Sequence, residues 1–253
     1  MKIAAIVPRL VNDINVNVKN INDFITIAYE NGASFIVLPE ATLTGLINND
    51  VYDHDINIAI QINHRIIKDF SENAKKHNFW LCFGFLEKEK DCIYDSAVLL
   101  NPSGEIDIHY RRINPQWRAN NLPPNLYSEG KEVKSTVSSL GKTAIVICGD
   151  LFDDNVLLKL NNLEPDFVLF PFARCFPLKV KDMQKQWDNI EKYDYYNQSK
   201  KTNATVIGSN YIGTPDINDN SFGGAFIINR QGDELVSLPL LKEGILYYKF
   251  DNL

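Results

Sequence analysis

The chain has 253 residues, of which 45% are hydrophobic and 23% are charged, and these values are typical of globular proteins. A net charge of -6 and the lack of any apolar run near the roughly 20 residues of a membrane-spanning helix argue against binding to nucleic acid or insertion into a membrane. The four cysteines are scattered without a Cys-x-x-Cys pair, which argues against a zinc site or a disulfide framework and favours a reducing cytoplasm.

The first half of the chain alternates strand-like and helix-like patterns. Residues 2–7 are typical of a core strand and not of a signal peptide, because polar residues follow from Arg9 onwards. Apolar residues at helical spacing predict a helix over residues 17–31, which stops at Asn31-Gly32. A longer amphipathic helix is predicted over residues 56–77. Strands are predicted at residues 35–38, 79–85, 97–100 and 106–110, with a turn at residues 101–104 between the last two.

The second half continues the alternation after a polar, proline-containing stretch at residues 114–130. Strands are predicted at residues 143–148, 167–170, 204–209, 224–229, 235–238 and 247–250, and helices at residues 156–160 and 182–201. Strands that alternate with helices, with hairpins between them, predict an α/β fold in which two sheets pack face to face and helices lie outside. No linker rich in proline, glycine or serine divides the chain, so one domain is expected over residues 1–253.

Three potentially reactive side chains lie at the ends of predicted strands. Glu40 follows the strand at residues 35–38, Arg112 follows the strand at residues 106–110, and Cys148 ends the strand at residues 143–148. Because active sites of open α/β sheets lie at the carboxyl ends of strands, one crevice could hold all three. Each also has a purely structural explanation. Glu40 could be a turn or helix-capping acid, Arg112 a surface cation, and Cys148 a small buried side chain.

Together these groups could perform nucleophilic catalysis. A thiolate is a good nucleophile, and a desolvated carboxylate beside the thiol can remove its proton. A cation near the sulfur favours the thiolate and can stabilise an oxyanion. No histidine has the context of a cysteine–histidine pair. The sequence contains neither the Gly-x-Ser-x-Gly motif of serine hydrolases nor a phosphate-binding P-loop.

The order of several short segments resembles that of the nitrilase, or carbon–nitrogen hydrolase, superfamily over essentially the whole chain. The segments similar to its three signatures are Leu38-Pro39-Glu40, Tyr110-Arg111-Arg112 and Ile147-Cys148-Gly149-Asp150. Supporting segments are Thr44-Gly45, Asn101-Pro102-Ser103-Gly104-Glu105, Tyr127-Ser128-Glu129-Gly130, Ser209-Asn210-Tyr211-Ile212-Gly213 and Phe222-Gly223-Gly224-Ala225-Phe226-Ile227. Each segment alone is a weak signal, whereas their shared order and spacing are a strong one.

The resemblance implies a four-layer αββα sandwich of two mixed sheets with helices outside, and a Glu-Lys-Cys triad. On this chain Glu40 matches the base and Cys148 the nucleophile, while Arg112 stands in the lysine position. The implied activity is hydrolysis of a carbon–nitrogen bond in a small-molecule amide or nitrile, with an amide preferred, through a thioester acyl-enzyme. The resemblance also implies that no metal or organic cofactor is needed and that the chain forms a homodimer or a larger homo-oligomer.

The chain departs from the family's pattern around this triad. Arginine keeps the charge of the lysine, but it does not readily lose a proton. The loop at residues 119–125 lacks the second glutamate of many members, Asn114 replaces a frequent histidine, and Phe152-Asp153-Asp154 replaces a frequent Arg-Phe-Pro-Glu. Two explanations stay open, an amidase with a retuned cation and a nitrilase-fold binding protein with impaired catalysis. Acyl transfer from the same thioester to an amine is a third.

Six further residues are candidates for the substrate pocket: Gly149, Phe172, Arg174, Cys175, Trp117 and Tyr127. The backbone N–H of Gly149 follows the nucleophile and could donate to an oxyanion. In the implied fold, the loop at residues 171–176 flanks the nucleophile. Arg174 in that loop could bind a substrate carboxylate through its fork or pair with a neighbouring acid, and Cys175 is expected in the pocket wall. Trp117 and Tyr127 could line the pocket mouth or pack a surface loop.

Overall fold

Two six-stranded mixed sheets form the centre of the molecule. The computed structural model describes residues 1–45, 50–177, 180–215 and 219–250. The first sheet contains β1 (Lys2–Val7), β2 (Phe35–Val37), β3 (Trp80–Glu89), β4 (Cys92–Leu100), β5 (Ile106–Arg111) and β12 (Gly244–Lys249). Its order is β12-β1-β2-β3-β4-β5, with β1, β2 and β3 parallel and the other neighbours antiparallel.

The second sheet has the same plan. It contains β6 (Ser135–Ser138), β7 (Gly141–Ile145), β8 (Phe167–Pro171), β9 (Thr205–Ser209), β10 (Ala225–Ile228) and β11 (Glu234–Leu238). Its order is β11-β10-β9-β8-β7-β6, with β7, β8 and β9 parallel and the other neighbours antiparallel.

The described helices are α1 (Ile14–Glu30), α2 (Tyr52–Ile58), α3 (Arg65–His77), α4 (Asp154–Asn161), α5 (Met183–Gln186) and α6 (Lys192–Lys201). A 3-10 turn spans Cys148–Phe152, and a π turn, Trp187–Glu191, joins α5 to α6. Among the described residues, no helix combines the length and apolar character that a membrane span requires.

Alternate residues of the central strands belong to different layers of the core. In β1, Ala4 and Ile6 pack in a cluster with α1 residues Ile21 and Ile25, whereas Ile3 and its neighbours of the same parity face the second sheet. Side chains of successive strand residues point to opposite faces, so a strand buried on both faces has a continuous apolar run. A third cluster packs α4 and α6 on the outside of the second sheet. The predicted four-layer αββα sandwich is therefore confirmed.

Some predicted element boundaries are wrong for a tertiary reason. The helix predicted at residues 56–77 is two helices, α2 and α3, because residue 60 forms an isolated parallel bridge with residue 87 of β3. The Ile60 N–H donates to the carbonyl of Leu86 at 2.9 Å, and the Lys88 N–H donates to the carbonyl of Ile60 at 2.9 Å. Since those backbone groups pair with a strand, they cannot continue a helix.

Other differences concern strand ends. β4 begins at Cys92 and not at residue 97, and β3 runs to Glu89, so the two strands form one long hairpin. β6 was not predicted, and β7 ends at Ile145 instead of residue 148. The helix predicted at residues 182–201 is interrupted by the π turn.

Candidate active site

Glu40 is buried at the end of β2 because β3 approaches it closely. The Gly84 N–H donates to the carbonyl of Pro39 at 2.9 Å, and the Thr42 N–H donates to the carbonyl of Gly84 at 2.9 Å. A Cβ atom on Gly84 would lie 2.7 Å from the Glu40 Cα atom, so only glycine allows this approach. The next residue, Ala41, has a φ of 44°. The backbone therefore turns sharply and fixes the Glu40 carboxyl group in the interior, where it is 0% exposed.

Arg112 contacts two carboxyl groups. Its Nη1 atom lies 2.9 Å from Oε1 of Glu40 and 3.3 Å from Oδ2 of Asp95. The register of β4 with β5 pairs Ser96 with Arg111, and the Arg112 N–H donates to the carbonyl of Asp95 at 2.8 Å. Sheet pairing thus places Asp95 directly beside the arginine. The exposed fractions of Asp95 and Arg112 are only 1% and 3%.

Cys148 begins the 3-10 turn that follows β7. Its φ of 42° is unusual for a residue with a side chain, and such conformations cost about 1–3 kcal/mol and cluster at functional sites. The Cys148 thiol donates to the carbonyl of Ala173 at 3.3 Å, and Ala173 follows the parallel neighbour β8. The sulfur therefore lies at the carboxyl ends of two parallel strands of the second sheet.

Asp150 ties this turn to the segment that follows Arg112. Its Oδ1 atom accepts the backbone N–H groups of Ile113 at 3.1 Å and Asn114 at 2.7 Å. Its Oδ2 atom accepts the Tyr110 hydroxyl at 2.7 Å and the Ile147 N–H at 3.1 Å. A single carboxyl group therefore connects β5 of the first sheet with the turn that begins at Cys148 in the second.

The Arg112 guanidinium reaches this turn directly. A Cβ atom added to Gly149 would lie 2.5 Å from Nη2 of Arg112 and 2.9 Å from Oδ1 of Asn114. The guanidinium therefore lies against the backbone of the residue that follows Cys148. Glu40, Arg112 and Cys148, which are distant in sequence, meet at one place between the sheets.

Burial and charge perturb the acids of this cluster. Burial, and next the neighbouring Cys148, raise the pKa of Glu40 to about 8, against the opposing effect of Arg112. Burial and the adjacent Glu40 raise the pKa of Asp95 well above its ordinary value. Burial also raises the pKa of Asp150, to about 6. For Arg112, burial lowers the pKa, but Cys148, Glu40 and Asp95 outweigh it, so the guanidinium stays charged.

A cavity of about 490 Å³ opens in front of Cys148. It is lined by Arg112, Gln116, Cys148, Gly149, Phe152, Ala173, Arg174, Ile190, Glu191, Asp194 and Tyr195. Its volume is suited to a small molecule. Glu40 lies behind the lining and contacts Arg112 from the protein side. In the described part of the chain, no three His, Cys, Asp or Glu side chains are grouped so as to hold a metal ion.

The predicted pocket residues divide into two groups. Gly149 and Arg174 line the cavity, as predicted. Of the two partners expected for Arg174, the structure has a neighbouring acid, Glu191. Nε and Nη2 of Arg174 donate to the two oxygens of Glu191 at 3.0 and 2.9 Å. Two N–H groups of the Arg174 guanidinium are therefore occupied by a carboxylate of the protein itself. The π turn is the element that carries Glu191 to this position.

The other four predicted pocket residues do not line this cavity. Phe172 is buried in the apolar cluster between the second sheet and α6. Cys175 is exposed, and its backbone forms an isolated antiparallel β-bridge with Ser221. Trp117 and Tyr127 are buried in a separate apolar cluster, and the Tyr127 hydroxyl donates to Asp55 at 2.8 Å. Their positions depend on how the loops at residues 114–130 and 171–176 fold back, which local sequence does not specify.

Sequence reasoning missed several residues of the site. Asp95 has no motif and lies in the part of β4 that was not predicted as a strand. Glu191, Asp194 and Tyr195 line the cavity from the segment predicted as a helix at residues 182–201. Once β4 is known to start at Cys92, the period of a strand places Asp95 on the same face as Ala97 and Leu99.

Known proteins share the sequence pattern of this chain. Residues 2–252 match the sequence model of a family described as carbon-nitrogen hydrolase. The glutamine-dependent NAD(+) synthetase of Acinetobacter baylyi is 24% identical over 227 residues, which cover 88% of this chain but only 39% of the synthetase. The deaminated glutathione amidase of Dictyostelium discoideum is 23% identical over 236 residues, which cover 88% of this chain and 78% of the amidase.

Solved structures share the fold. A carbon-nitrogen hydrolase from Helicobacter pylori G27 superposes with a TM-score of 0.82 at 17% identity, over 98% of this chain and 87% of that one. An amidase from Nesterenkonia sp. superposes with a TM-score of 0.76 at 14% identity, over 98% of this chain and 89% of that one. At these identities the likeness concerns the architecture.

Proposed function

The chain belongs to the carbon-nitrogen hydrolase family, and we propose that it hydrolyses the carbon–nitrogen bond of a small-molecule amide with Cys148 as the nucleophile. The observation that carries the proposal is a cavity of about 490 Å³ lined by Cys148 and Arg112, with the carboxyl group of Glu40 against the arginine behind that lining. An amide is preferred to a nitrile because amidases are prominent among the similar proteins.

The first half of the proposed reaction forms a thioester. Glu40 takes the proton of the Cys148 thiol, and the sulfur attacks the amide carbon, whose oxygen becomes an oxyanion. The Arg112 guanidinium and the Gly149 N–H stabilise that oxyanion. As the tetrahedral intermediate collapses, the carbon–nitrogen bond breaks, and the nitrogen leaves as ammonia or an amine with the proton held by Glu40.

The second half regenerates the enzyme. Glu40 takes a proton from water, and the resulting hydroxide attacks the thioester carbon. The carbon–sulfur bond then breaks, the acid product leaves, and the Cys148 sulfur regains the proton. A base that both takes and returns protons works best with a pKa near the working pH, and burial raises the pKa of Glu40 to about 8.

A panel of amides with detection of released ammonia or amine tests this proposal, with intact-protein mass spectrometry of the reaction mixture. We expect turnover and an acyl adduct with the wild type, and neither with Cys148→Ala. Cys175→Ala is the matched control, because this cysteine is exposed and lies outside the cavity lining. Turnover that survives Cys148→Ala would refute the mechanism. Saturable binding of an amide without turnover or adduct would instead favour a binding protein, and an amide product formed with an added amine would favour acyl transfer.

A further inference from the structure

Asp95 is a second buried carboxyl group beside Glu40, and the proposed reaction assigns it no role. Both carboxyl groups contact Nη1 of Arg112, Asp95 at 3.3 Å and Glu40 at 2.9 Å. Oδ1 of Asp95, Oε2 of Glu40 and Nε of Arg112 are buried without a hydrogen-bond partner among the described residues. Buried polar atoms in this state are rare in folded proteins and call for an explanation.

The charges of this cluster do not balance if both acids are ionised. One permanent positive charge on Arg112 would then face two negative charges on buried side chains. Two carboxylates that share a buried site cannot both ionise easily, so such a pair retains one proton over a wide pH range. The pair with one proton carries a single negative charge, and that charge balances the guanidinium.

Other titratable groups near the pair do not supply this balance. Cys148 lies on the cavity side, and the two oxygens of Asp150 are occupied by the hydroxyl and backbone donors already described. Tyr110 donates to Asp150, and burial, followed by the nearby Cys148, raises the pKa of Tyr195 well above its ordinary value. Arg174 and Glu191 neutralise each other. The proton must therefore be held by Glu40 and Asp95.

We propose that Asp95 is a positioning residue that shares one proton with Glu40 and holds Arg112 between the two carboxyl groups. The role given to Glu40 here rests on the proposed function, whereas the shared proton is inferred from the burial of both acids and their contacts with Arg112. Loss of the shared proton at alkaline pH would place a second negative charge beside Cys148. Since a nearby like charge disfavours a thiolate, the pair would then suppress the reactive form of the sulfur.

Alkylation of Cys148 by iodoacetamide across the pH range tests this, with mass spectrometry as the readout. Asp95→Asn keeps an oxygen that can accept from Arg112, but it cannot ionise. We expect the wild type and Asp95→Asn to react at similar rates near about pH 6. Above about pH 8 the variant should react faster, by about tenfold, which corresponds to one unit of like-charge effect. A merely structural effect of the substitution would shift the rates at every pH.

Two further variants complete the test. Glu40→Gln also prevents the doubly ionised pair, so its alkaline alkylation rates should resemble those of Asp95→Asn, although it alone should abolish amide turnover. Asp107→Asn is the matched control, because Asp107 is exposed on β5 away from the cavity, and its alkylation curve should match the wild type. Parallel curves for wild type and Asp95→Asn at all pH values would overturn the proposal.

If Asp95→Asn does not fold, infrared spectra of the wild type still decide the matter. A carbonyl stretch of a protonated carboxyl group should be present at neutral pH and disappear at alkaline pH, and its absence at neutral pH would overturn the proposal. The alkylation assay needs no amide turnover. Failure of every amide in the panel, with the expected divergence of the curves, would therefore count against the proposed function and leave the shared proton supported.

Discussion

Replacement of Arg112 by lysine asks whether the site is built for a guanidinium. Nη1 of Arg112 serves Glu40 at 2.9 Å and Asp95 at 3.3 Å, and Nη2 of the same group lies against Gly149. A lysine has one compact ammonium on a stem that does not fork, so it cannot contact both carboxyl groups and still reach the turn that begins at Cys148. Arg112→Lys should therefore leave at least one carboxyl group without its cation.

The size of the effect follows from the contact that is lost. A hydrogen bond to a charged group is worth roughly 1.5–3 kcal/mol. If this loss is felt in the transition state, kcat/KM falls by roughly 10- to 150-fold, at about 1.4 kcal/mol per factor of ten. Removal of the charge by Arg112→Met is a stronger change, because a buried carboxylate without its partner costs about 3–5 kcal/mol of stability.

The assay is kcat/KM for an amide found in the panel, together with the free energy of unfolding in urea. Arg118→Lys is the matched control, since Arg118 pairs with Glu129 at 2.7 Å and lies outside the cavity lining. We expect the control to change kcat/KM little. A lysine variant at position 112 that equals or exceeds the wild type would show that the arginine impairs an ordinary amidase site, and the reasoning would be refuted.

Three further substitutions have defined outcomes. Gly149→Ala places a Cβ atom 2.5 Å from Arg112 Nη2 and should displace the guanidinium. We expect kcat/KM to fall by about 100-fold while the circular dichroism spectrum stays unchanged. A fully active variant would contradict the described contact. Glu87→Gln tests how the free energy of unfolding depends on pH. Burial raises the pKa of Glu87, but hydrogen bonds from His109 and Arg111 outweigh burial and lower the pKa from 4.5 to about 2. A lowered carboxyl pKa stabilises the fold above pH 4.5 and loses this contribution as the pH falls towards 2. The variant should therefore lose roughly 2–4 kcal/mol in urea unfolding at neutral pH and differ little from the wild type near pH 2; an equal loss at both pH values would exclude the linkage. Glu191→Gln removes the charge that pairs with the Arg174 guanidinium, which leaves the guanidinium able to bind a substrate carboxylate. The variant should raise kcat/KM for carboxylate-bearing amides relative to neutral amides by about tenfold. An unchanged preference would show that Arg174 does not face the substrate.

The fold was largely predictable because its central strands are buried on both faces. Residues 3–7 and 167–170 are continuous apolar runs, and both lie in strands in the interior of the sheets. The prediction of one long helix at residues 56–77 was wrong, because Ile60 fits a helical pattern although its backbone pairs with β3. Tertiary pairing of this kind overrides local periodicity and leaves no local signal.

The site was predictable where a reactive residue ends an apolar run. Glu40 and Cys148 both do so, and the structure brings them to the same region with Arg112. Asp95 could not be found in this way, because its importance depends on the register that places it beside Arg112. Cys175 is next to Arg174 in sequence, yet it is exposed and does not line the cavity. Positions in loops depend on the path of the chain and not on spacing.

The residues of this site lower the stability of the fold, and this cost is an argument that the site performs chemistry. Two carboxyl groups and a guanidinium are buried, and three of their atoms have no hydrogen-bond partner within the described part of the chain. Such ionic clusters are often less stable than apolar residues of the same volume. Cys148 adds backbone strain at a φ of 42°. A protein that only used the fold as a scaffold would gain from the loss of these features, since local violations of stability are usually retained at functional sites. The arginine is therefore better understood together with Asp95, as a cation with its own counter-charge, than as damage to a lysine site.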